Sequence, residues 1–285
     1  MFGPEIIVRS ITAQRIGDQH GNEWQYHPQS DRHSKIACWA ILFDLLIRCA
    51  LLRRHVAEDR VGFGINHTMT DFTSGRDKDL DLVLSEPRKE DGAASKQRLN
   101  FNELADHYGI LLTTDERDVL TSLPVLRNRP VGDVLLALEA KAVMTAHVGA
   151  GPRLFDELTS AWQCVNGAAP QAIAVGFAMV NASPDFVSPK QNKFSVHERP
   201  PVVNYETQPA AALRAHDRVR MINVRRHTNQ GGYDAKAILT VMASNDGKAI
   251  TLAPVPPGLG NDDPLHYERM VLRVAGLYDG RFAAR

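Results

Sequence analysis

The sequence has few cysteines, no excess of charge of either sign and no long uninterrupted apolar run. Its three cysteines, Cys38, Cys49 and Cys164, are widely spaced and form no CxxC pair, which argues against a structural zinc site or a disulfide framework. The 33 basic and 33 acidic residues cancel. Net charge therefore indicates no particular partner, and only a local basic cluster would favour binding to nucleic acid.

Targeting segments are also missing from the sequence. The first ten residues lack the basic segment and following apolar run that are typical of a signal peptide. The longest apolar stretch, residues 36–52, is interrupted by Asp44 and Arg48, which indicates a core helix and not a membrane span. With 44% apolar residues the chain can bury a core. We expect a soluble, cytoplasmic protein without a membrane partner.

Apolar residues recur at helical or strand spacing through the middle of the chain. Steps of three and four residues predict helices from about Arg32 to Ala57 and from about Arg153 to Val165, the second preceded by a break at residues 149–152. Compact aliphatic runs predict strands at 61–67, 80–84, 134–140 and 172–180. The polar residues 86–129 form an insertion. This order predicts an α/β fold whose mixed central sheet is flanked by helices.

The segments on either side differ in character from this middle part. Residues 1–30 are mixed and polar, and we interpret them as an N-terminal arm before a core at 31–189. Residues 190–285 are predicted to be a β-rich C-terminal extension. Its strand candidates are 219–224, 237–243, 249–254 and 270–274, with Asn245-Asp246-Gly247 as a turn between the middle two.

Charged residues stand at the ends of two predicted strands. Glu139 and Lys141 lie two positions apart and share one face, and Asp79 and Asp81 do the same directly before an aliphatic triplet. A surface ion pair accounts for Glu139 and Lys141 equally well. If the two strands are neighbours, however, carboxylates and a lysine converge, and carboxylate oxygens are the ligands that Mg²⁺ prefers. Such a set suits phosphodiester hydrolysis, because a bound metal neutralises charge and lowers the pKa of a water.

An aspartate on one strand and Glu-x-Lys on the next resemble the PD-(D/E)xK, or restriction-endonuclease-like, superfamily. The resemblance covers about residues 31–181 and includes the order of a long helix, a hairpin bearing the aspartate, the Glu-x-Lys strand, a helix and a final strand. The sequence departs from the pattern in two ways. No proline precedes the aspartate, and the separation of Asp81 from Glu139 (139 − 81 = 58 positions) is long.

The resemblance implies a catalytic set of Asp81, Glu139 and Lys141. Asp81 and Glu139 would bind Mg²⁺, for which Mn²⁺ is a possible substitute, and the backbone carbonyl of Ala140 would complete the inner shell. Lys141 would position or help to deprotonate the attacking water. Asp79 is the rival metal ligand on its strand, and we favour Asp81 because the triplet that follows it is purely aliphatic.

The function implied by the resemblance is a magnesium-dependent DNA endonuclease, in the first place a type II-like restriction endonuclease of a restriction-modification system. It would act on double-stranded DNA as a homodimer, because cutting both strands needs two active centres. The alternatives are another nuclease of this fold that acts in DNA repair, on junctions or on RNA, and a catalytically inactive nucleic-acid-binding module. A third alternative is an unrelated α/β protein whose charges pair on the surface.

The densest basic cluster lies in the C-terminal extension, which would serve DNA contact or dimerisation. Its members are Arg214, Arg218, Arg220, Arg225 and Arg226. On strands and adjoining loops they would lie along DNA phosphates, although a solvated face is an equally good interpretation. A second group, Asp31 to Lys35, opens the first long helix as a solvated helix start or as a phosphate contact.

Overall fold

The computed structural model of the protein describes residues 1–72, 74–88 and 98–284. In chain order the helices are α1 (Gly3–Thr12), α2 (Arg32–Arg48), α3 (Ala50–Ala57), α4 (Phe101–His107), α5 (Thr114–Ser122), α6 (His147–Ala168), α7 (Ala210–Met221) and α8 (Tyr267–Phe282). The strands are β1 (Ile16–Gly17), β2 (Glu23–Trp24), β3 (Gly62–Asp71), β4 (Arg76–Pro87), β5 (Val131–Val143), β6 (Ile173–Asn181), β7 (Asp185–Val187), β8 (Val203–Tyr205), β9 (Ala235–Met242) and β10 (Thr251–Leu252).

A six-stranded mixed sheet forms the centre of the molecule, in the order β10-β9-β6-β5-β4-β3. Strand β4 is antiparallel to both of its neighbours, β3 and β5, and β6 and β9 then run parallel to β5. Strand β10 closes the far edge antiparallel to β9. The predicted α/β fold with a mixed central sheet flanked by helices is confirmed.

Helices cover both faces of this sheet. Helices α1, α2, α3 and α8 pack on one face, in a core that includes Phe43, Leu138 and Phe177, and α6 and α7 pack on the other, around Val83 and Leu158. All nine residues of β6 are buried. That is why β6 appears in the sequence as a continuous aliphatic run, since a strand covered on both faces has no polar side. Among the described helices, none is long and apolar enough to cross a membrane.

The predicted elements of the middle part are present, with two changes at their ends. The helix predicted over 32–57 is divided at Cys49, whose extended backbone separates α2 from α3 and whose Sγ accepts the N–H of Leu52 at 3.3 Å. The break predicted at 149–152 is wrong, because α6 already begins at His147 and Pro152 is its sixth residue. At this position proline lacks the N–H that would have donated to the carbonyl of Val148, so the helix continues with one backbone hydrogen bond fewer. Of the insertion, residues 89–97 lie outside the described residues, and α4 and α5 occupy its second half.

The prediction of a β-rich segment at 190–285 is wrong in its main elements. The strand candidates 219–224 and 270–274 fall in or beside α7 and within α8. Windows of five or six residues cannot separate a period of two from one of 3.6. The predicted strands 237–243 and 249–254 do form, as β9 and β10, but they belong to the central sheet and pair with β6 and with each other. The remaining strand of this segment, β8, pairs with β7 in a separate two-stranded sheet.

The first residues form a helix and not an irregular arm. Ile6, Ile7 and Ile11 of α1 are buried against α2. Asp44, the acidic residue inside the apolar α2, accepts the backbone N–H groups of Phe2 and Gly3 at 2.9 and 2.8 Å. A buried carboxylate thus satisfies free N–H groups at the start of α1. Burial raises the pKa of Asp44 even though these hydrogen bonds oppose the shift.

One member of the predicted DNA-binding cluster is part of the core. Arg225 is 1% exposed, and its guanidinium lies 2.8 Å from Asp234 Oδ2 and donates to the carbonyls of Pro170 and Ala172. The same Asp234 oxygen accepts the N–H of Ala174 at 2.8 Å. The ion pair of Arg225 and Asp234 therefore connects the start of β9 to the start of β6. The prediction that Arg225 contacts DNA is wrong.

Replacing Arg225 should destabilise the fold strongly. We expect Arg225→Ala to lower the free energy of unfolding by roughly 3–5 kcal/mol, because it leaves the buried Asp234 without this partner. The matched control is Arg226→Ala at the exposed next position, where a change within about 0.5 kcal/mol is expected. Urea unfolding followed by circular dichroism measures both, and equal stability of the two variants would contradict this role.

Candidate active site

Strands β4 and β5 separate at the level of Asp81 and Glu139. Their ladder of backbone pairs ends at Leu82 opposite Leu138. Beyond that point the side chain of Asp81 takes the place of a backbone partner, and its Oδ2 accepts the N–H of Ala140 at 3.0 Å. The sheet thus opens a gap between two strands where one acidic side chain from each is anchored.

Asp81 is held from the side of α2. Its Oδ1 accepts hydrogen bonds from Ser34 Oγ and Lys35 Nζ, both at 2.9 Å. Burial would raise the pKa of Asp81, but the charge of Lys35 and the Ala140 N–H outweigh it and lower the pKa. Burial likewise opposes the charge of Lys35, whose pKa is nevertheless raised by Asp81. Both groups are therefore ionised at neutral pH.

Glu139 is the acidic residue of the site whose carboxylate lacks well-formed hydrogen bonds. Its side chain is 2% exposed, and Oε1 lies 2.8 Å from Lys141 Nζ and 3.4 Å from Lys78 Nζ. These are ion-pair distances without the angles of a hydrogen bond, and neither oxygen of Glu139 accepts a well-formed hydrogen bond from the described residues. Burial and the nearby charge of Asp81 raise the pKa of Glu139, while Lys141 and Lys78 act in the opposite direction. Burying a carboxylate in this way is costly.

Lys141 connects Glu139 to the opposite layer of helices. Its side chain is 27% exposed, and Nζ lies 3.8 Å from Oε2 of Glu157 on α6. Arg153, one turn earlier on α6, donates to the other oxygen of Glu157 at 2.6 Å. Burial alone would lower the pKa of Lys141, yet Glu139 raises it. The site is thus built from β4, β5, α2 and α6.

The structure brings together Asp81, Glu139, Ala140 and Lys141 and leaves Asp79 apart. Asp79 is exposed and accepts a hydrogen bond from Thr68 at 2.5 Å on the neighbouring strand. Of the two aspartates, Asp81 is the one bonded to the Glu-x-Lys strand. The role of the Ala140 carbonyl stays a prediction, since the contact formed here is through the Ala140 N–H.

Three charged residues of the site were not predicted from the sequence as parts of it. Lys35 was expected at a solvated helix start or as a phosphate contact but is buried, and Lys78 and Glu157 were not singled out. A signal for Lys35 did exist, because it directly precedes the apolar run from Ile36 in a helix that the sheet covers. The exposed arginines of α7, Arg214 and Arg218, and the exposed Arg226 lie outside this group, and Arg220 pairs with Asp263 at 2.6 Å.

The donors of the site fit a divalent cation that keeps part of its water. Across residues 1–72, 74–88 and 98–284, no three His, Cys, Asp or Glu side chains are grouped so that they could hold a metal ion. The protein ligands would thus be two carboxylates, that of Glu139, whose Oε1 is also ion-paired with Lys141 and Lys78, and that of Asp81 through the remaining lone pair of Oδ2. Mg²⁺ is commonly bound by one or two carboxylates, with water or substrate phosphate completing its octahedron.

Comparison with known proteins finds no matching family model, no matching curated protein and no matching solved structure.

Divalent cations should stabilise the protein through Glu139. We expect Mg²⁺ or Ca²⁺ to raise the melting temperature of the wild type, since a ligand at 100 times its Kd adds about 2.7 kcal/mol to the stability of the folded state. Glu139→Gln should remove most of this shift, whereas Asp79→Asn is the matched control and should keep it. Differential scanning fluorimetry over a cation series measures the effect, and an equal shift in all three proteins would exclude a site at Glu139.

On acidification, the affinity for divalent cations should begin to fall at a higher pH than an ordinary glutamate ligand would give. Protons compete with the metal for Glu139, and the pKa of Glu139 is raised above its ordinary value of 4.5. The loss of affinity should therefore begin at a higher pH than for an unperturbed glutamate and increase as the pH falls. Titration calorimetry with Mn²⁺ at several pH values tests the sign. The prediction is contradicted if the affinity for Mn²⁺ stays constant until the pH approaches 4.5, the ordinary pKa of glutamate.

Proposed function

We propose that the protein is a metal-dependent endonuclease of the PD-(D/E)xK type, acting on double-stranded DNA. The observation that carries the proposal is the buried carboxylate of Glu139 without a well-formed hydrogen bond, next to Asp81 and Lys141 where β4 and β5 separate. A folded protein keeps such a group at a cost in stability. Lys141 and Lys78 offset part of that cost, and a cation bound at Glu139 would offset more of it. Perturbed titratable groups of this kind cluster at functional sites.

The arrangement of the elements supports the same proposal. Helix α2 precedes the antiparallel strands β3, β4 and β5, and α6 then leads to β6 parallel to β5. This is the order that the resemblance in the sequence implies. It places the aspartate on the middle strand of the antiparallel part and Glu-x-Lys on the next strand, so the two segments are adjacent.

In the proposed mechanism Glu139 and Asp81 Oδ2 hold Mg²⁺, with Mn²⁺ as a substitute. When bound, the cation supplies charge neutralisation at phosphorus and a water of lowered pKa. Lys141 stays protonated, because Glu139 raises its pKa. It therefore donates hydrogen bonds that orient the water and the phosphate, and does not act as a free base. Lys35 and Ser34 keep Asp81 ionised and fix its rotamer.

The substrate and the assembly follow from the same proposal. A type II-like restriction endonuclease has to cut both strands, which two active centres in a homodimer would do. Of the exposed arginines of α7, Arg218 packs against Gly151 of α6, the helix that also carries Arg153 and Glu157. Such arginines contact DNA phosphates without reading the bases.

One observation favours a second candidate, a nucleic-acid-binding module without catalysis. Both oxygens of Asp81 already accept hydrogen bonds, and Oδ1 is also paired with Lys35. Incubation with plasmid DNA in magnesium or in EDTA separates the candidates. Discrete magnesium-dependent fragments indicate a restriction endonuclease, a smear indicates a non-specific nuclease, and a shifted but uncut band indicates the binding module.

Lys141→Ala should abolish cleavage while DNA binding survives. We expect the cleavage rate to fall by at least about 10²-fold, in line with the loss of a group that positions the reacting water. Binding in Ca²⁺ should change little. The control is Lys190→Ala at an exposed lysine outside the site, which should cleave as the wild type does. Single-turnover cleavage of labelled DNA measures the rates, and near-normal cleavage by Lys141→Ala would assign Lys141 a structural role.

The arginines of α7 should contribute to binding and not to the metal requirement. Replacing Arg214 and Arg218 together by alanine should weaken DNA binding and lower the slope of log affinity against log salt by about two, since each lost phosphate contact lowers it by about one. The matched control replaces Arg48 and Arg54, which are exposed at the other end of α2 and on α3. Fluorescence anisotropy in Ca²⁺ over a salt series gives the slopes. Equal slopes for both double variants would make α7 a solvated face.

A further inference from the structure

The ammonium group of Lys35 lies among oxygen atoms only. Its Nζ donates to Asp81 Oδ1 at 2.9 Å, to the backbone carbonyl of Asp81 at 3.4 Å and to Oδ1 of Asn66, and it lies 3.8 Å from Asp31 Oδ2. An ammonium has three protons to donate, and these contacts use all three. Two carboxylates, one amide oxygen and one backbone carbonyl are also the ligand types of a hard metal ion.

The backbone of two strands is shaped around this group. Asn66 lies within β3 with a φ of +50°, a conformation that asparagine tolerates better than most residues. The β3–β4 ladder pairs Ile65 with Leu82 and His67 with Leu80 but omits Asn66 and Asp81 between them. The two side chains that receive the ammonium thus come from the same irregular position of the ladder. Lys35 itself is 3% exposed. It is therefore a buried lysine whose oxygen partners are provided by this irregular position, and not a surface lysine.

We propose that Lys35 is a resident cation of the active site, so that the site takes one divalent ion, at Glu139, and not two. Metal-dependent phosphodiester hydrolysis uses one metal ion or a pair about 3.5–4 Å apart. In this chain Asp81 Oδ1 already accepts from Lys35, and it lies 2.9 Å from Ser34 Oγ, whose single proton it shares with the backbone carbonyl of Asp31. Only Oδ2 remains to share with a metal at Glu139. The count of one divalent ion rests on the proposed function; the cationic role of Lys35 does not.

Lys35 is accordingly a positioning residue and touches neither water nor phosphate. It neutralises Asp81 permanently, which a second metal ion would do only when bound. It also prevents Asp81 from turning both oxygens to the metal, because a rotation of the carboxylate would break the bonds to Lys35 and to Ala140 together. Removing the ammonium should leave a set of oxygens from Asp81, Asn66 and Asp31 that lacks a cation.

Counting bound Mn²⁺ tests this proposal without any activity measurement. Electron paramagnetic resonance of free Mn²⁺ gives the number of ions bound per chain. We expect one in the wild type, two in Lys35→Ala and one in the double variant Lys35→Ala, Glu139→Gln, whose remaining ion lies at Asp81. The control is Lys78→Ala, which removes the lysine paired with Glu139 and should leave the number at one.

Failure of this proposal differs from failure of the proposed function. Two ions bound to the wild type overturn the proposal for Lys35, whether or not Lys35→Ala folds. One ion bound to both the wild type and a folded Lys35→Ala also overturns the role of Lys35, while the nuclease proposal stands. If the wild type binds none and cleaves nothing but Lys35→Ala binds one, the resident cation is supported and the nuclease proposal fails. Should Lys35→Ala unfold without metal and fold when Mn²⁺ is added, as seen by circular dichroism, the metal has replaced the ammonium and the proposal is supported.

Discussion

The structure depends on keeping two buried carboxylates, Asp81 and Glu139, at the ends of neighbouring strands. Their mutual repulsion and their burial both favour protonation. Three lysines oppose this, Lys35 from α2, Lys78 from β4 and Lys141 from β5. The relative position of α2 and the sheet is thus constrained by charge as well as by apolar packing, because Lys35 must reach the irregular position of the β3–β4 ladder at Asn66 and Asp81. Hydrophobic burial would tolerate a shift of α2 that these ion pairs would not.

The two carboxylates have unequal environments, and the difference is informative. Asp81 has a low pKa and hydrogen bonds at both oxygens, so it is a fixed anion. Glu139 has a raised pKa and is paired with Lys141 and Lys78 without a well-formed hydrogen bond, so it is the group whose state can change. Where two acids in one site are moved apart in pKa by their surroundings, they serve different roles. Here Asp81 would organise the site, and Glu139 would change its protonation state or its contacts when a ligand binds.

The sequence predicted the middle of the fold well because its signals there are local. A strand covered on both faces, such as β6, is a continuous aliphatic run, and Glu139 and Lys141 stand out because charge ends such a run. The contacts of Lys35 were not predictable, since they join α2 to β3 and β4 through an irregular position at Asn66 that has no compositional signature. Similarly, Arg225 looked like its exposed neighbour Arg226, and only the position of Asp234 distinguishes them. The boundary drawn at residue 189 failed because pairing of β9 with β6 is a long-range contact.

The position of β9 late in the chain has a consequence for folding during translation. Strand β6 is synthesised more than fifty residues before β9, its neighbour on one side. During translation at roughly 5–20 residues per second, β6 therefore has an open, apolar edge for several seconds. An edge of this kind is a template for pairing with another chain. Ribosome-associated chaperones that shield extended apolar segments would matter most for this protein in that interval, and less after Ala235 to Met242 have emerged.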